Sequence, residues 1–380
     1  MNARLSPLAG RRLALVVAGL VVGAGAAEAV ARVASASPAE ELLFRAPDGA
    51  LRGLYARDAT LLSAPVPGFS GTIAAPGYHV DVRIDAEGLR AELEGVAIPA
   101  PAADVWLAVG DSFTLALQVD AADTFEARLG AALGVRVRNA GVDGYSTWQS
   151  LERYRRLDPV VGSRVVLLTY FLGNDLTDDE VYPLLRQRTS GADAGGAPLP
   201  PPDAGGMGLL EGLLFRNSRL YAYLRVAQAR RALLRADNPE AHKFRNELTG
   251  FTRGGAGRLE QLVANSRTPL LQLRDATAAA GDRLLVAVAP PAFAVDPQRA
   301  ADTLAAFGLA DPDVDAPRRA VLAMLAGLDI AACDLTPALT EAEARGEAPY
   351  LRFDGHWSVA GHGVVAREIG GCWERGLGAR

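Results

Sequence analysis

The sequence predicts an α/β protein, with one large domain built on a parallel sheet and a small β-rich annex before it. Two continuous apolar runs, at residues 105–109 and 284–289, are typical of strands covered on both faces. Such runs alternate with helical stretches, which indicates a parallel sheet with helices on both sides. The chain has 380 residues, of which 49% are hydrophobic and 22% charged, so it can form a large core.

The first 36 residues have the features of an export signal or a membrane anchor. A basic flank with three arginines precedes an apolar run from Leu13 to Ala27, which ends at Glu28. The run is short for a membrane-spanning helix, which needs about 20 apolar residues. Small residues at 24–26 and 34–36 offer cleavage sites. A cleaved signal peptide, a membrane anchor and a packed core helix stay open, and the predicted location is exported, periplasmic or anchored in the cell envelope.

Residues 37–101 are predicted to form the β-rich annex. Polar and apolar side chains alternate over residues 79–84, as they do in a half-buried strand. Turn-forming residues at 65–68 and 75–77 separate the short strands, and the Pro-Ala-Pro segment at 99–101 is the expected linker.

Charge and cysteine content limit the partners and cofactors. The chain has 39 basic and 44 acidic residues, a net charge of −5, so we expect no nucleic-acid partner. Cys333 and Cys372 are too few for a disulfide scaffold, and no CxxC pair indicates zinc. One disulfide in an exported chain and two unpaired core thiols both fit. No metal or cofactor is predicted.

The large domain is predicted over residues 102–380. Its strands are expected at 105–109, 135–138, 164–170, 284–289 and 328–331, and its first helices at 115–133 and 147–157. An insertion at about 181–260 separates the third and fourth strands. It contains a Gly/Pro/Ala-rich loop at 189–208 and a helical run at 209–234. The insertion fits either a cover over the ligand crevice or a surface element that only packs.

Polar residues and glycines follow the predicted strands, at the edge where ligands bind in such sheets. Ser112, in Gly110-Asp111-Ser112, lies at a strand-to-helix turn that would present its hydroxyl to the crevice. Gly144 follows the second strand and can bring a backbone N–H close to a substrate oxygen. Asn174 follows the third strand, and its amide can donate to an oxyanion. Helix capping and turn formation would explain these residues without catalysis.

His356 is the most specific candidate, in the segment Asp354-Gly355-His356-Trp357 before a predicted C-terminal helix. A histidine there can act as the general base for a serine, and the Asp354 carboxylate can orient it. A metal site of His356 and His362 is the rival interpretation. Its spacing is not of the HExxH type, and the chain has only four histidines. His362 lies within that predicted helix, and we expect its side chain to have a packing role.

With four such segments in this order, the sequence resembles the SGNH (GDSL-type) hydrolase family. Residues 110–112 match its nucleophile block, 139–144 its glycine block, 173–175 its asparagine block and 354–356 its terminal block. The resemblance covers about residues 104–380, apart from most of the insertion. It implies a flavodoxin-like, three-layer α/β/α domain.

The resemblance also implies a role for each residue. Ser112 would be the nucleophile, His356 the base and Asp354 its orienting acid, while the N–H groups of Ser112 and Gly144 and the side chain of Asn174 would form the oxyanion hole.

Two positions depart from the family pattern. Leu172 replaces the glycine usually found two residues before the asparagine. Asp354 precedes the histidine by two residues instead of three, which is similar to the alginate O-acetylation enzymes and other exported members.

The predicted activity is therefore hydrolysis of acyl esters, acetyl esters among them, with an acylated polysaccharide or lipid as the candidate substrate. O-acyl transfer to a cell-envelope polysaccharide is one alternative, because only the acceptor differs. The other is a catalytically silent carbohydrate-binding protein of the same fold. The joint presence of Ser112, Gly144, Asn174 and His356 argues against a silent site.

Overall fold

The computed structural model describes residues 7–33, 53–75, 78–91, 104–189, 214, 217–233, 239–351 and 354–377. The predicted linker at 99–101 and nearly all of the predicted loop at 189–208 lie outside these ranges. The proposed domain boundaries therefore remain predictions.

The described strands form two small antiparallel sheets and one five-stranded parallel sheet. They are β1 Tyr55–Asp58, β2 Leu62–Pro65, β3 Ser70–Ala75, β4 Tyr78–Arg83, β5 Val105–Gly110, β6 Arg136–Asn139, β7 Val165–Phe171, β8 Arg283–Ala289 and β9 Ala331–Asp334. The parallel sheet has the order β6-β5-β7-β8-β9, as in flavodoxin-like domains. The predicted fold class is confirmed.

Helices cover both faces of the parallel sheet. The described helices are α1 Pro7–Val33, α2 Ser112–Leu115, α3 Phe125–Leu133, α4 Thr147–Val161, α5 Asp175–Thr189, α6 Arg219–Leu233, α7 Pro239–Thr249, α8 Ala256–Ala280, α9 Pro297–Ala306, α10 Ala316–Gly327, α11 Thr336–Ala344 and α12 Val359–Cys372. Side chains alternate along each strand, so Leu107 of β5 packs with α4, α8 and α10, whereas its neighbour Trp106 packs with α3, α11 and α12.

Two predicted elements have different bounds in the structure. The helix expected at 115–133 is divided, because Ala116 adopts a left-handed conformation at φ +56° and ends α2. Thr124 then caps α3 by accepting a hydrogen bond from the N–H of Ala127. The strand expected at 328–331 begins only at Ala331, since the N–H of Leu328 still bonds to the preceding helix.

The annex packs directly on the large domain. Ile73 of β3 and Val80 and Val82 of β4 are buried together with Leu115 and Leu117, which follow the predicted nucleophile. An isolated bridge between Arg90 and Asn139 extends the edge of the parallel sheet beyond β6. The annex is therefore in contact with the strand ends that carry the predicted site.

Helix α1 packs against α6 of the insertion. The Glu28 carboxylate accepts hydrogen bonds from the N–H groups of Arg219 and Leu220, at 2.9 Å each, and these bonds lower the pKa of Glu28 to about 2. Leu15 and Val22 of α1 are 74% and 72% exposed, so α1 is not a core helix. The signal or anchor interpretation remains a prediction.

Within the described parts of the chain, no helix combines the length and the apolar character needed to cross a bilayer.

Cys333 and Cys372 form a disulfide, which settles the choice that the sequence left open. Cys333 lies on β9 and Cys372 is the last residue of α12, so the bond fastens the C-terminal helix to the edge strand.

Candidate active site

Ser112 lies immediately beyond the end of β5, at the first position of α2. The Asp111 side chain caps this helix by accepting a hydrogen bond from the N–H of Phe113 at 2.9 Å. Gly110 has a φ of +148°, and a side chain there would collide with Thr114 and with the carbonyl of Thr169. These constraints fix the turn that carries the Ser112 hydroxyl.

His356 lies in a tight turn just before α12. The N–H of Leu351 donates to the carbonyl of His356 at 2.8 Å, and Tyr350 pairs with Trp357 across the turn. Gly355 has a φ of +80°, a left-handed conformation that glycine adopts without strain. Residues 352 and 353, which precede Asp354, lie outside the described residues.

The structure brings Ser112, His356 and Asp354 together. The Nε2 atom of His356 lies 2.7 Å from the Oγ atom of Ser112, and its Nδ1 atom contacts the Oδ1 atom of Asp354. The side chains of His356 and Asp354 are 23% and 11% exposed. The hydroxyl, imidazole and carboxylate therefore form a continuous hydrogen-bonded chain, with its serine end partly accessible.

The surroundings of His356 favour its protonated form. Burial opposes protonation, but the carboxylate of Asp354, with smaller contributions from Asp111 and Asp143, outweighs burial and raises the pKa of His356. Burial raises the pKa of Asp354, and the positive charge of His356 outweighs that effect and lowers it. The pair is thus stabilised as imidazolium and carboxylate, the state that forms when a base takes the serine proton.

The segments that contain Gly144 and Asn174 flank the Ser112 turn. The N–H of Val142 donates to the carbonyl of Gly110 at 3.1 Å on one side, and the rings of Phe113 and Phe171 stack at 4.0 Å on the other. Gly144 has a φ of +68°, and the space where its Cβ would stand is open. No side chain at residue 144 therefore blocks the approach to its backbone.

Asn174 directly precedes α5. Its carbonyl oxygen accepts from the N–H groups of Thr177 and Asp178, at 2.9 and 2.8 Å. Its side-chain Oδ1 atom is buried and has no hydrogen-bond partner among the described residues.

Asn139, in the same glycine block, has a structural role. Its amide nitrogen donates to the carbonyl of Thr114 at 2.6 Å and to Glu126 at 3.0 Å, and its oxygen accepts from the N–H of Gly141. A side chain at Gly141 would collide with the backbone of Thr114 and Leu115. This block therefore holds the chain that follows Ser112.

His362 packs in the core, as expected. Its Nδ1 atom accepts a hydrogen bond from the N–H of Phe125 at 3.1 Å, and burial lowers its pKa to about 3. His356 and His362 therefore have separate partners. Among the described residues, the one converging set of metal-ligand types is Cys333, Glu368 and Cys372, and its two sulfur atoms are joined in the disulfide.

Two annex residues that the sequence did not predict contact the site. The hydroxyl of Tyr78 donates to the Oδ2 atom of Asp354 at 2.9 Å, and that of Tyr55 donates to Asp143 at 3.0 Å. The sequence around Tyr78 gave no indication of this contact, because 276 residues separate Tyr78 from Asp354.

Residues 251–377 match the sequence model of a family described as "SGNH hydrolase-like domain, acetyltransferase AlgX". This part of the chain is similar to an SGNH hydrolase-like domain. The family predicted from the motifs is thereby confirmed. The match includes His356 and Asp354, whereas Ser112 lies before it. No curated protein sequence matches this chain.

The solved structures that resemble this chain share few identical residues with it. A GDSL-like lipase from Bacteroides thetaiotaomicron is 12% identical, over 74% of this chain and 93% of its own, with a TM-score of 0.37. A catalytic mutant of an acetylxylan esterase from Geobacillus stearothermophilus is 14% identical, over 72% and 94%, with a TM-score of 0.35. An extracellular lipase from Streptomyces rimosus is 14% identical, over 72% and 99%, with a TM-score of 0.36.

Proposed function

We propose that this chain is a serine ester hydrolase whose nucleophile is Ser112. The observation that carries the proposal is the hydrogen-bonded chain from the Ser112 hydroxyl through His356 to Asp354. Such a chain lets an imidazole remove the serine proton while a carboxylate stabilises the imidazolium.

The reaction begins when the Oγ atom of Ser112 attacks the ester carbonyl carbon and the Nε2 atom of His356 takes its proton. The carbonyl oxygen becomes an oxyanion, for which we assign the N–H groups of Ser112 and Gly144 and the side-chain amide of Asn174 as donors. When the tetrahedral intermediate collapses, His356 returns the proton to the leaving alcohol. Water then attacks the acyl-serine by the same steps, which releases the acid and restores Ser112.

The second candidate function is transfer of the acyl group to a sugar hydroxyl. It is favoured by the family match, whose description names an acetyltransferase. In this case the hydroxyl replaces water in the second half-reaction, and the residues keep their roles. The substrate of either reaction would be an acyl or acetyl ester, and the predicted export places that reaction in the cell envelope.

The first experiment measures cleavage of a panel of aryl esters with different acyl lengths. We expect Ser112→Ala to be nearly inactive, and Asn174→Ala to be folded but about two to three decades slower. Ser70→Ala, which changes an exposed serine of β3, is the matched control and should keep the wild-type rate.

Labelling with a fluorophosphonate tests the same assignment without a known substrate. Ser112 of the wild type should be modified, and the Ser112→Ala variant should not. A wild-type rate for Ser112→Ala would refute the nucleophile assignment, and a folded wild type that resists the label would favour the silent carbohydrate-binding alternative. Product analysis with and without oligosaccharide acceptors then separates hydrolysis from transfer.

A further inference from the structure

We propose that Tyr78 is a positioning residue of the reaction and that the annex thereby forms part of the active site. This inference rests on the proposed function. Tyr78 is the first residue of β4, and its hydroxyl reaches the Oδ2 atom of Asp354 at 2.9 Å. The annex therefore supplies the donor of this contact, and the parallel-sheet domain supplies the acceptor.

The contact leaves neither oxygen of the Asp354 carboxylate unbound. Oδ1 faces His356, contacting its Nδ1 atom and accepting from its N–H at 3.3 Å, and Oδ2 accepts from Tyr78. A carboxylate held at one oxygen can rotate about its side-chain bonds, whereas one held at both has a fixed plane. Tyr78 therefore fixes the direction from which Asp354 meets the imidazole.

The hairpin that carries Tyr78 is itself held against the nucleophile side of the site. Its buried residues pack on Leu115 and Leu117, which follow Ser112 in the chain. Arg90, just after the hairpin, donates to the carbonyl of Leu115 at 2.7 Å, to that of Ala116, and to that of Val119 at 2.5 Å. The annex thus connects the segment after the nucleophile to the carboxylate behind the base.

A second annex contact lies on the oxyanion side. Tyr55 of β1 donates to the Oδ2 atom of Asp143, the residue before Gly144, at 3.0 Å. Two annex tyrosines therefore donate to two carboxylates of the site, those of Asp354 and Asp143.

The hydrogen bond from Tyr78 has a predictable electrostatic sign. A donor to a carboxylate stabilises the anion and lowers its proton affinity, and this contact lowers the pKa of Asp354. Because Asp354 and His356 titrate as a pair, loss of the donor raises the proton affinity of the pair. Removal of the hydroxyl should then slow catalysis and also move the acidic limb of the pH–rate profile to higher pH.

The test is Tyr78→Phe, which removes one oxygen atom and keeps the ring. We expect kcat to fall about tenfold with little change in KM, because orientation of the base is lost and substrate contacts are kept. The acidic limb of the pH–rate profile should move to higher pH by about half a unit. Tyr182→Phe is the matched control, since Tyr182 also donates to the annex, at the carbonyl of Thr60, 2.6 Å away.

Titration of the His356 ring by NMR gives a readout that does not depend on activity. Only four histidines are present, so the signals can be assigned by substitution. The apparent pKa of His356 should rise in Tyr78→Phe and stay at the wild-type value in Tyr182→Phe. An unchanged titration together with an unchanged kcat in Tyr78→Phe would overturn the inference, as would an equal loss of kcat in Tyr182→Phe.

These outcomes also separate this inference from the proposed function. If the wild type cleaves no ester and resists the fluorophosphonate, the proposed function fails. The His356 titration then still decides whether Tyr78 controls the pair.

Discussion

The acidic residues around His356 set the pH range in which it can act as a base. Asp354, Asp111 and Asp143 all favour the imidazolium and, against the opposing effect of burial, raise the pKa of His356 above its ordinary 6.5. Only the neutral imidazole can take the serine proton, so kcat/KM should increase with pH through this raised value. The acidic limb of the wild-type profile is therefore expected above pH 6.5.

Substitution of Asp143 tests this electrostatic contribution. Asp143→Asn removes a negative charge and keeps an oxygen that can accept from Tyr55, so the imidazolium loses stabilisation and the pKa of His356 falls. We expect the acidic limb of the kcat/KM profile to move to lower pH by about half a unit. Asp104→Asn, at the opposite end of β5, is the control and should leave the limb in place. A shift to higher pH in Asp143→Asn would contradict this account.

Single residues were predictable where a local pattern carries the chemistry. Ser112 and His356 stand in short motifs, and strand ends are where such motifs meet in a parallel sheet. The spacing of Asp354, unusual for the family, is accommodated by the left-handed Gly355. Tyr78 could not be found in this way, because its role depends on how a distant hairpin docks.

At the scale of elements, the apolar runs predicted the buried strands well, because a strand covered on both faces needs apolar side chains along nearly its whole length. Element ends were less predictable. Ala116 favours helix by propensity, yet its carbonyl bonds to Arg90 of the annex and its φ is positive. Tertiary contacts therefore decide where α2 ends, and the sequence near Ala116 contains no trace of them.

The disulfide between β9 and α12 gives a prediction at this scale. The two cysteines are 39 residues apart in the sequence. In the chain-entropy account, closing a loop of that length lowers the entropy of the unfolded chain and so raises its free energy by about 3–4 kcal/mol. The double variant Cys333→Ala/Cys372→Ala should lose about that much free energy of unfolding in urea titrations. Dithiothreitol should destabilise the wild type by a similar amount and leave the variant unchanged. Equal stability of variant and oxidised wild type would contradict the prediction.

At the scale of the whole molecule, the contacts of Arg90 predict that the annex and the large domain unfold together, as one cooperative unit. Arg90 is 4% exposed and donates to three backbone carbonyls after Ser112. From the sequence, the annex was predicted as a region of its own, which the Pro-Ala-Pro linker at residues 99–101 divides from the large domain. It could not show that a buried arginine joins the two parts.

The variant Arg90→Met removes the arginine donor from all three carbonyls, and the carbonyl of Ala116 then keeps only the N–H of Val119, at 3.4 Å. We expect a loss of about 3–5 kcal/mol in the free energy of unfolding and a single cooperative transition, followed by tryptophan fluorescence and by amide exchange in β3 and β4. Arg57→Met, at an exposed position of β1, should change little. Amides of the wild-type annex that exchange far faster than those of β5 and β7 would show that the annex opens independently.

The distance in sequence between Ser112 and His356 has a consequence during synthesis. Ser112 and His356 are 244 residues apart in the sequence, and the histidine comes second. A ribosome therefore completes the serine, the annex and most of the sheet long before the imidazole exists. In the proposed mechanism, Ser112 has no base throughout that interval, and a chain that terminates before residue 356 never acquires one. In the proposed mechanism, synthesis of His356 is therefore the event that gives Ser112 its base.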